Sequence, residues 1–339
     1  MECHRLKHYA RLNSGGTIGR CGHMVKTQSF KSFDEMESSE WLKNIKEKMV
    51  NNIWPEECYR CQQTEKLNGT SIRLNALDRH RILYAQNKEY LIVGGVLDNI
   101  CNNACISCNA NLSTKIGSLY GKNYPRLNNV KVLKTFPQER IYEIDINGGE
   151  PSASKNYKKL LMTLPKNTKI VRINTNGSRF IKEIQTVLDQ SIRVIVTLSL
   201  DGINKIHDYT RWPIKWDNYK KIVEQYLNLR SKNKFLKLDF WTTVSCLNIN
   251  DMPNIFNYTK TVNIQHQYGI LNSPDPMNII YKNPFTNKAK KEFQNSNEKI
   301  ANDLLPTIAI DKDNTNDLTT FLDRQDELRK INRYDYYKT

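Results

Sequence analysis

The 339-residue chain has no run of about 18 apolar residues, so nothing in it reads as a membrane span. Its opening, MECHRLKHYARLNSGG, is charged and lacks the apolar stretch of a secretory leader, so a cytoplasmic protein is expected. Internal repeats and long low-complexity tracts are missing too. A formal charge of +16 raises nucleic acid as a partner. No dense Lys/Arg block with interleaved aromatics accompanies it, and the excess is spread along the whole chain. Basicity alone decides little.

What the chain does have is eight cysteines, and a reducing compartment argues against reading them as disulfides. Cys246 stands alone in FWTTVSCLNI and reads as a small core residue of a buried strand. Cys101, Cys105 and Cys108 are packed into CNNACISC at the spacing C-x3-C-x2-C. Three thiols are one short of a closed tetrahedral zinc site and one over from a disulfide pair. They suit three irons of a cubane cluster whose fourth iron is left open. A zinc site completed elsewhere, or three incidental thiols, are the alternatives that spacing leaves.

From residue 89 onward, strand-like runs alternate with amphipathic helical ones. YLIVGGVL (90–97) leads straight into the cysteine triplet. IYEIDING (141–148), KIVRINTNG (169–177), RVIVTLSLDG (193–202), FLKLDFWTTVSCLNI (235–249) and QYGILNSP (267–274) complete about six strands. Helical spacing lies between them, at 156–164, 180–190 and 216–230. This alternation predicts βαβ units and a parallel sheet. Gly, Asp and Asn gather at the C-terminal strand ends, the rim that carries chemistry in a βα barrel. After about residue 276 the rhythm stops and polar-faced helices follow, with Leu318, Phe321, Leu322 and Leu328 expected to pack onto the barrel.

Together, CNNACISC after the first strand, NGGEPS after the second, RINTNGS after the third and LSLDG after the fourth resemble the radical S-adenosylmethionine (SAM) enzymes over residues 88–275. The resemblance implies an α/β fold with a partial (β/α)6 TIM-like barrel and a [4Fe–4S] cluster on Cys101, Cys105 and Cys108. SAM would bind the open iron. An electron from the cluster would then cleave its sulfonium to methionine and a 5′-deoxyadenosyl radical that abstracts a substrate hydrogen. A reductant such as flavodoxin or ferredoxin is implied as partner.

Residue chemistry agrees motif by motif. Gly148 and Gly149 let a ligand approach the strand end closely, and Glu150 suits an ammonium group. Ser199 and Asp201, two apart, are expected to point together at a ribose diol. Arg211 resembles a family arginine near the SAM carboxylate; Asn174 and Asn248 end strands three and five. The sequence departs from the family at Ser107, where many members carry an aromatic residue for the adenine. Ile106 or GILNSP is left to serve instead.

The N-terminal quarter carries Cys3 and Cys21 as C-x12-G-x4-C through Gly16, and Cys58 and Cys61 as C-x2-C. This resembles a twitch/SPASM-type auxiliary iron–sulfur domain placed ahead of the barrel, with a second [4Fe–4S] cluster on Cys3, Cys21, Cys58 and Cys61. All-thiolate zinc has the same spacing. His4, His8 or His23 could stand in for Cys3. Between the pairs, SSEWLKNIKEKMV reads as a Ser-capped helix with Trp41, Ile45 and Met49 on one side. The expected division is a cysteine-rich domain at 1–87, the barrel at 88–275 and a helical extension at 276–339. The substrate is expected to be a peptide or protein. A zinc-stabilised nucleic-acid-binding protein without SAM chemistry is the alternative of another class.

Overall fold

The computed structural model describes residues 1–82, 89–121 and 124–337, and the expected boundary at 87–88 lies outside them. Eight strands form one sheet: β1 (Tyr9–Leu12), β2 (Ile18–Gly19), β3 (Leu91–Val96), β4 (Ile141–Asn147), β5 (Ile170–Thr175), β6 (Arg193–Ser199), β7 (Leu236–Val244) and β8 (Gln265–Ile270). Their order is β2-β1-β3-β4-β5-β6-β7-β8, so the sheet is open rather than closed into a ring. Every pairing is parallel except β1–β2. The six strands expected from the alternating pattern are β3 to β8. No described helix is long and apolar enough to cross a membrane.

The two additional strands come from the N-terminal segment. β1 lies parallel to β3, with Leu12 opposite Gly95. Two glycines make that approach possible. A Cβ at Gly94 would fall 2.1 Å from the Tyr9 hydroxyl, and one at Gly95, whose φ is +98°, would fall 2.1 Å from the Leu12 carbonyl oxygen. The cysteine-rich segment is therefore continuous with the sheet. A strand of four residues carries too little periodicity to be read from sequence.

Pleat alternation divides the sheet into two faces. Ile144, Ile146, Val171, Ile173, Val194, Val196 and Leu198 are buried on the outer face, beneath the helices. Helix Glu183–Asp189 contributes Ile184, Val187 and Leu188, and helix Trp216–Lys232 contributes Tyr219, Val223 and Tyr226 at i, i+4, i+7. Helix Glu40–Val50 is capped by Ser39, whose hydroxyl accepts from Leu42 N–H at 3.3 Å. Its buried stripe is Leu42, Ile45 and Met49, with Trp41 half-buried beside it. In the C-terminal extension, Ala289, Phe293, Ile300 and Leu304 enlarge the main core. Leu318 and Leu322 pack with Ile106, Tyr209 and Leu247, while Leu328 is only half-buried.

The inner face is polar. Across its middle, β-register sets Asn147, Asn174, Thr197 and Asp239 side by side, with Ser199, Trp241 and Gln267 in the next row. Lower down, Glu143 is fully buried between His80 (Nε2–Oε2 3.3 Å) and Arg172 (Nε–Oε1 2.6 Å). Burial would raise the Glu143 pKa. The His80 hydrogen bond and the Arg172 guanidinium outweigh it and hold the pKa down at about 2. Because the folded pKa is the lower one, this stabilisation is present above the unfolded value near 4.3 and is lost as pH falls toward 2. Glu143→Gln is expected to cost about 3 kcal/mol at pH 7 by urea unfolding. The gap to the parent should narrow below about pH 4.

Candidate active site

The cysteine triplet leaves the C-terminal end of β3 on a loop fixed by backbone and side-chain bonds. Ala104 N–H donates to the Trp212 carbonyl (2.9 Å) and Ile106 N–H to the Thr210 carbonyl (3.0 Å). Thr114 hydroxyl donates to the Cys101 carbonyl at 3.1 Å, and Ser113 hydroxyl to the Asn103 carbonyl at 2.6 Å. Asn103 N–H approaches the Cys101 sulfur at 3.5 Å. Burial, reinforced by the neighbouring thiols, raises Cys101 to about 12 and Cys108 to about 11. Such thiols are poor anions alone. A cationic iron cluster would remove that penalty, so the donor set fits one.

Glu150 is held by the protein on several sides. Its side chain is 1% exposed, and its carboxylate accepts from Ser152 N–H (3.0 Å), Thr175 hydroxyl (2.7 Å) and Asn176 N–H (2.7 Å). Its own N–H donates to the Ile100 carbonyl at 2.7 Å. Asn176 in turn bonds Asn102 at 3.0 Å. Glu150 thus ties the loops after β3, β4 and β5 together, with its carboxylate committed within the protein. Gly148 (φ +84°) and Gly149 (φ +60°) serve the same closure: added Cβ atoms would lie 2.4 Å from Val96 Cγ1 and 2.6 Å from the Ile100 carbonyl. Tyr157 hydroxyl anchors the strand end on the Asn147 carbonyl at 2.6 Å.

Asp201 and Arg211 are also committed to each other. Arg211 Nη1 donates to Asp201 Oδ2 at 2.9 Å, and Thr243 N–H donates to Asp201 Oδ1 at 2.8 Å. β6 ends at Ser199, so the strand spacing that would align Asp201 with it has already ceased. Ser199 faces the open inner surface next to Trp241. Arg211 retains a buried Nε with no partner among the described residues. Asn174 is exposed and bonds Asn147. Asn248 is buried, donating to the Asp201 and Thr243 carbonyls at 3.2 and 3.0 Å.

Beside Cys108 opens a cavity of about 410 Å3 lined by Ile106, Ser107, Tyr120, Tyr124, Ser273, Pro274, Phe321 and Arg324. It unites the two segments left to contact adenine and adds aromatics that sequence reading missed. Tyr120 and Tyr124 follow the third cysteine closely but carry no motif, and Phe321 and Arg324 arrive from the C-terminal extension. Asp98 was missed as well. It accepts from Ser154, from Asn156 at 2.9 Å and from Ile100 N–H at 3.1 Å, and its place just before the triplet was the available signal.

The four N-terminal cysteines meet. Cys3, Cys21, Cys58 and Cys61 all line one cavity, together with Arg5, His23 and Arg73. Gly16 (φ +78°) lies in the β1–β2 turn that brings Cys21 back beside Cys3. Cys58 closes a 3-10 turn and Cys61 follows in the next helix at i+3, on the same side. Burial and the neighbouring thiols push Cys3 to about 11 and Cys58 to about 12, and raise Cys61. His4 lines a neighbouring cavity, and His8 stacks on Tyr90 at 4.0 Å. A single tetrahedral zinc needs its thiolates about 2.3 Å from one point. Four thiols suit either a zinc ion or a [4Fe–4S] cubane. A cubane places each thiolate on its own iron.

Residues 96–258, which include the triplet and the three other rim motifs, match the family model of the Radical SAM superfamily. The chain carries a radical SAM domain. Over 133 residues it is 29% identical to mycofactocin maturase MftC of Mycolicibacterium smegmatis, a match covering 38% of this chain and 32% of that protein. The chain thus spans about a third of that relative's length. Native anSMEcpe with bound AdoMet is similar at 18% identity and a TM-score of 0.44, over 65% of this chain and 63% of that one. SuiB of Streptococcus suis bound to its precursor peptide SuiA is similar at 13% identity and a TM-score of 0.42, over 86% and 60%. The family match favours the radical SAM reading over a zinc-stabilised nucleic-acid binder.

Proposed function

We propose that the chain is a radical SAM enzyme in which Cys101, Cys105 and Cys108 hold a [4Fe–4S] cluster with one iron open to SAM. The observation that carries this is three buried or half-buried thiols on one braced loop, at the C-terminal end of the first long parallel strand, inside a radical SAM domain. The chemistry supplied by the bound group is one-electron cleavage of the SAM sulfonium to methionine and a 5′-deoxyadenosyl radical. The chain's own residues hold and orient. Glu150 and Asp98 fix the rim loops, and the Asp201–Arg211 pair braces the loop that the triplet packs against. Gly148, Gly149, Ser199 and Asn174 border the space open to SAM, and the cavity at Ile106 and Ser273–Pro274 takes the adenine.

Cys3, Cys21, Cys58 and Cys61 hold a second, auxiliary [4Fe–4S] cluster in this reading. The functional division remains 1–87 for that module, 88–275 for the radical SAM core and 276–339 for the helical extension. A flavodoxin or ferredoxin serves as reductant. The substrate is a peptide or protein segment. Its support is the polar inner face, whose Asn, Thr, Ser and Gln side chains match backbone amides, and the local likeness to a protein named as a maturase.

Anaerobically reconstituted protein given dithionite and SAM should form methionine and 5′-deoxyadenosine in equal amounts. Cys101/Cys105/Cys108→Ala should form neither above background. Equal product from both proteins contradicts the proposal.

A further inference from the structure

Arg5 and Arg73 line the four-cysteine cavity, Arg20 carries its charge near Cys21 and Cys3, and the three are not equivalent. Arg73 is matched by Glu65 in a two-pronged pair, Nε–Oε1 2.8 Å and Nη2–Oε2 2.5 Å. Arg20 is fully buried and meets Glu37, while its Nη1 donates to the Tyr9 carbonyl at 2.7 Å. Arg5 is different. Among the described residues it forms no ion pair with a carboxylate; its Nε donates to the Cys21 sulfur at 3.3 Å, and its guanidinium lies 3.7 Å above the centre of the Tyr9 ring. Asp145 attracts Arg5 through space, after Cys21 and without an ion pair, and a partly buried cation with no paired carboxylate is costly unless a closer negative group offsets it. The thiols supply one only when they are thiolates, as they are on iron.

We infer that Arg5 is the counter-charge of the four-cysteine site and sets the reduction potential of the cluster held there. This rests on the auxiliary-cluster reading above. Reduction adds one negative charge to a site that is already negative. A fixed cation with an N–H on a ligand sulfur stabilises the reduced form more than the oxidised one, and so raises the potential. Position supports the same role. Arg5 also lines the neighbouring cavity of about 160 Å3 that reaches Asp145 on the inner face, and Tyr9 holds it there by packing on Gly94 of β3. Arg5 is thus a positioning residue between the four thiols and the inner face of the sheet.

The test uses the full chain with Cys101, Cys105 and Cys108 replaced by Ala, so that only the N-terminal site gives a signal. Midpoint potentials are read by EPR-monitored redox titration for this background, for Arg5→Gln and for Arg5→Lys, with iron counted in each. The expected result is about four irons throughout, a clearly lower midpoint for Arg5→Gln, and one close to the background for Arg5→Lys. Loss of iron from Arg5→Gln alone, with Arg5→Lys retaining it, supports the charge role in stronger form. Equal midpoints in all three overturn the inference and leave the cluster standing, as does iron loss from both variants with the fold retained. No iron in the background protein removes the auxiliary cluster itself, and the inference with it.

Discussion

Glu150→Gln should destabilise the folded chain by about 2–4 kcal/mol in denaturant unfolding and release iron from the triplet on desalting. The carboxylate offers acceptors to two backbone N–H groups and one hydroxyl in a buried setting. Burial pushes its pKa up, and the bonds from Asn176, Thr175 and Ser152 pull against that. A glutamine fills the same volume but turns one acceptor into an NH2 donor, so at least one backbone N–H meets another donor. The three rim loops then lose their common anchor. If Glu150 instead served the SAM ammonium group directly, the variant would keep parental stability and iron and only bind SAM less tightly. The two outcomes are separable by measuring unfolding and iron before SAM is added.

Gly95→Ala should detach the N-terminal segment at a cost of ~3 kcal/mol or more. At φ +98°, with a Cβ placed 2.1 Å from the Leu12 carbonyl oxygen and 2.7 Å from the Leu12 nitrogen, the obstacle is backbone and has no rotamer to move. The β1–β3 pairing must give way, and with it the setting of Cys3 and Cys21. Limited proteolysis should cut the variant within its N-terminal segment faster than the parent, and bound iron should fall from about eight to about four. Unchanged proteolysis and iron would mean that the four-cysteine module does not depend on its strand in the sheet.

Chemistry was more legible in this sequence than support. β3 to β8 and the helices near 156–164, 180–190 and 216–230 follow from period-two and 3.6-residue patterning, whereas helix Met252–Thr261 between β7 and β8 was not read. The triplet follows from thiol spacing directly after a strand. β1 did not, because YARL is short and its partner was decided by glycines 80 residues away. The internal partners of the charged rim residues were not legible in the sequence, for a shared reason. Glu150, Asp201 and Arg211 have the right chemistry for SAM, but sequence does not show which polar groups lie within 3 Å. The structure gives Glu150 to Thr175 and Asn176, and Asp201 to Arg211. Conversely, the convergence of Cys3, Cys21, Cys58 and Cys61 was foreseeable from spacing, while the counter-charge at Arg5 needed the fold that lays it over Tyr9.

The most direct measurement is iron and acid-labile sulfide per chain after anaerobic reconstitution. It compares the parent, the Cys101/Cys105/Cys108→Ala variant and a Cys3/Cys21/Cys58/Cys61→Ala variant. Two cubane clusters require about eight irons in the parent and about four in each variant. A parent without iron, binding zinc instead, would contradict the account.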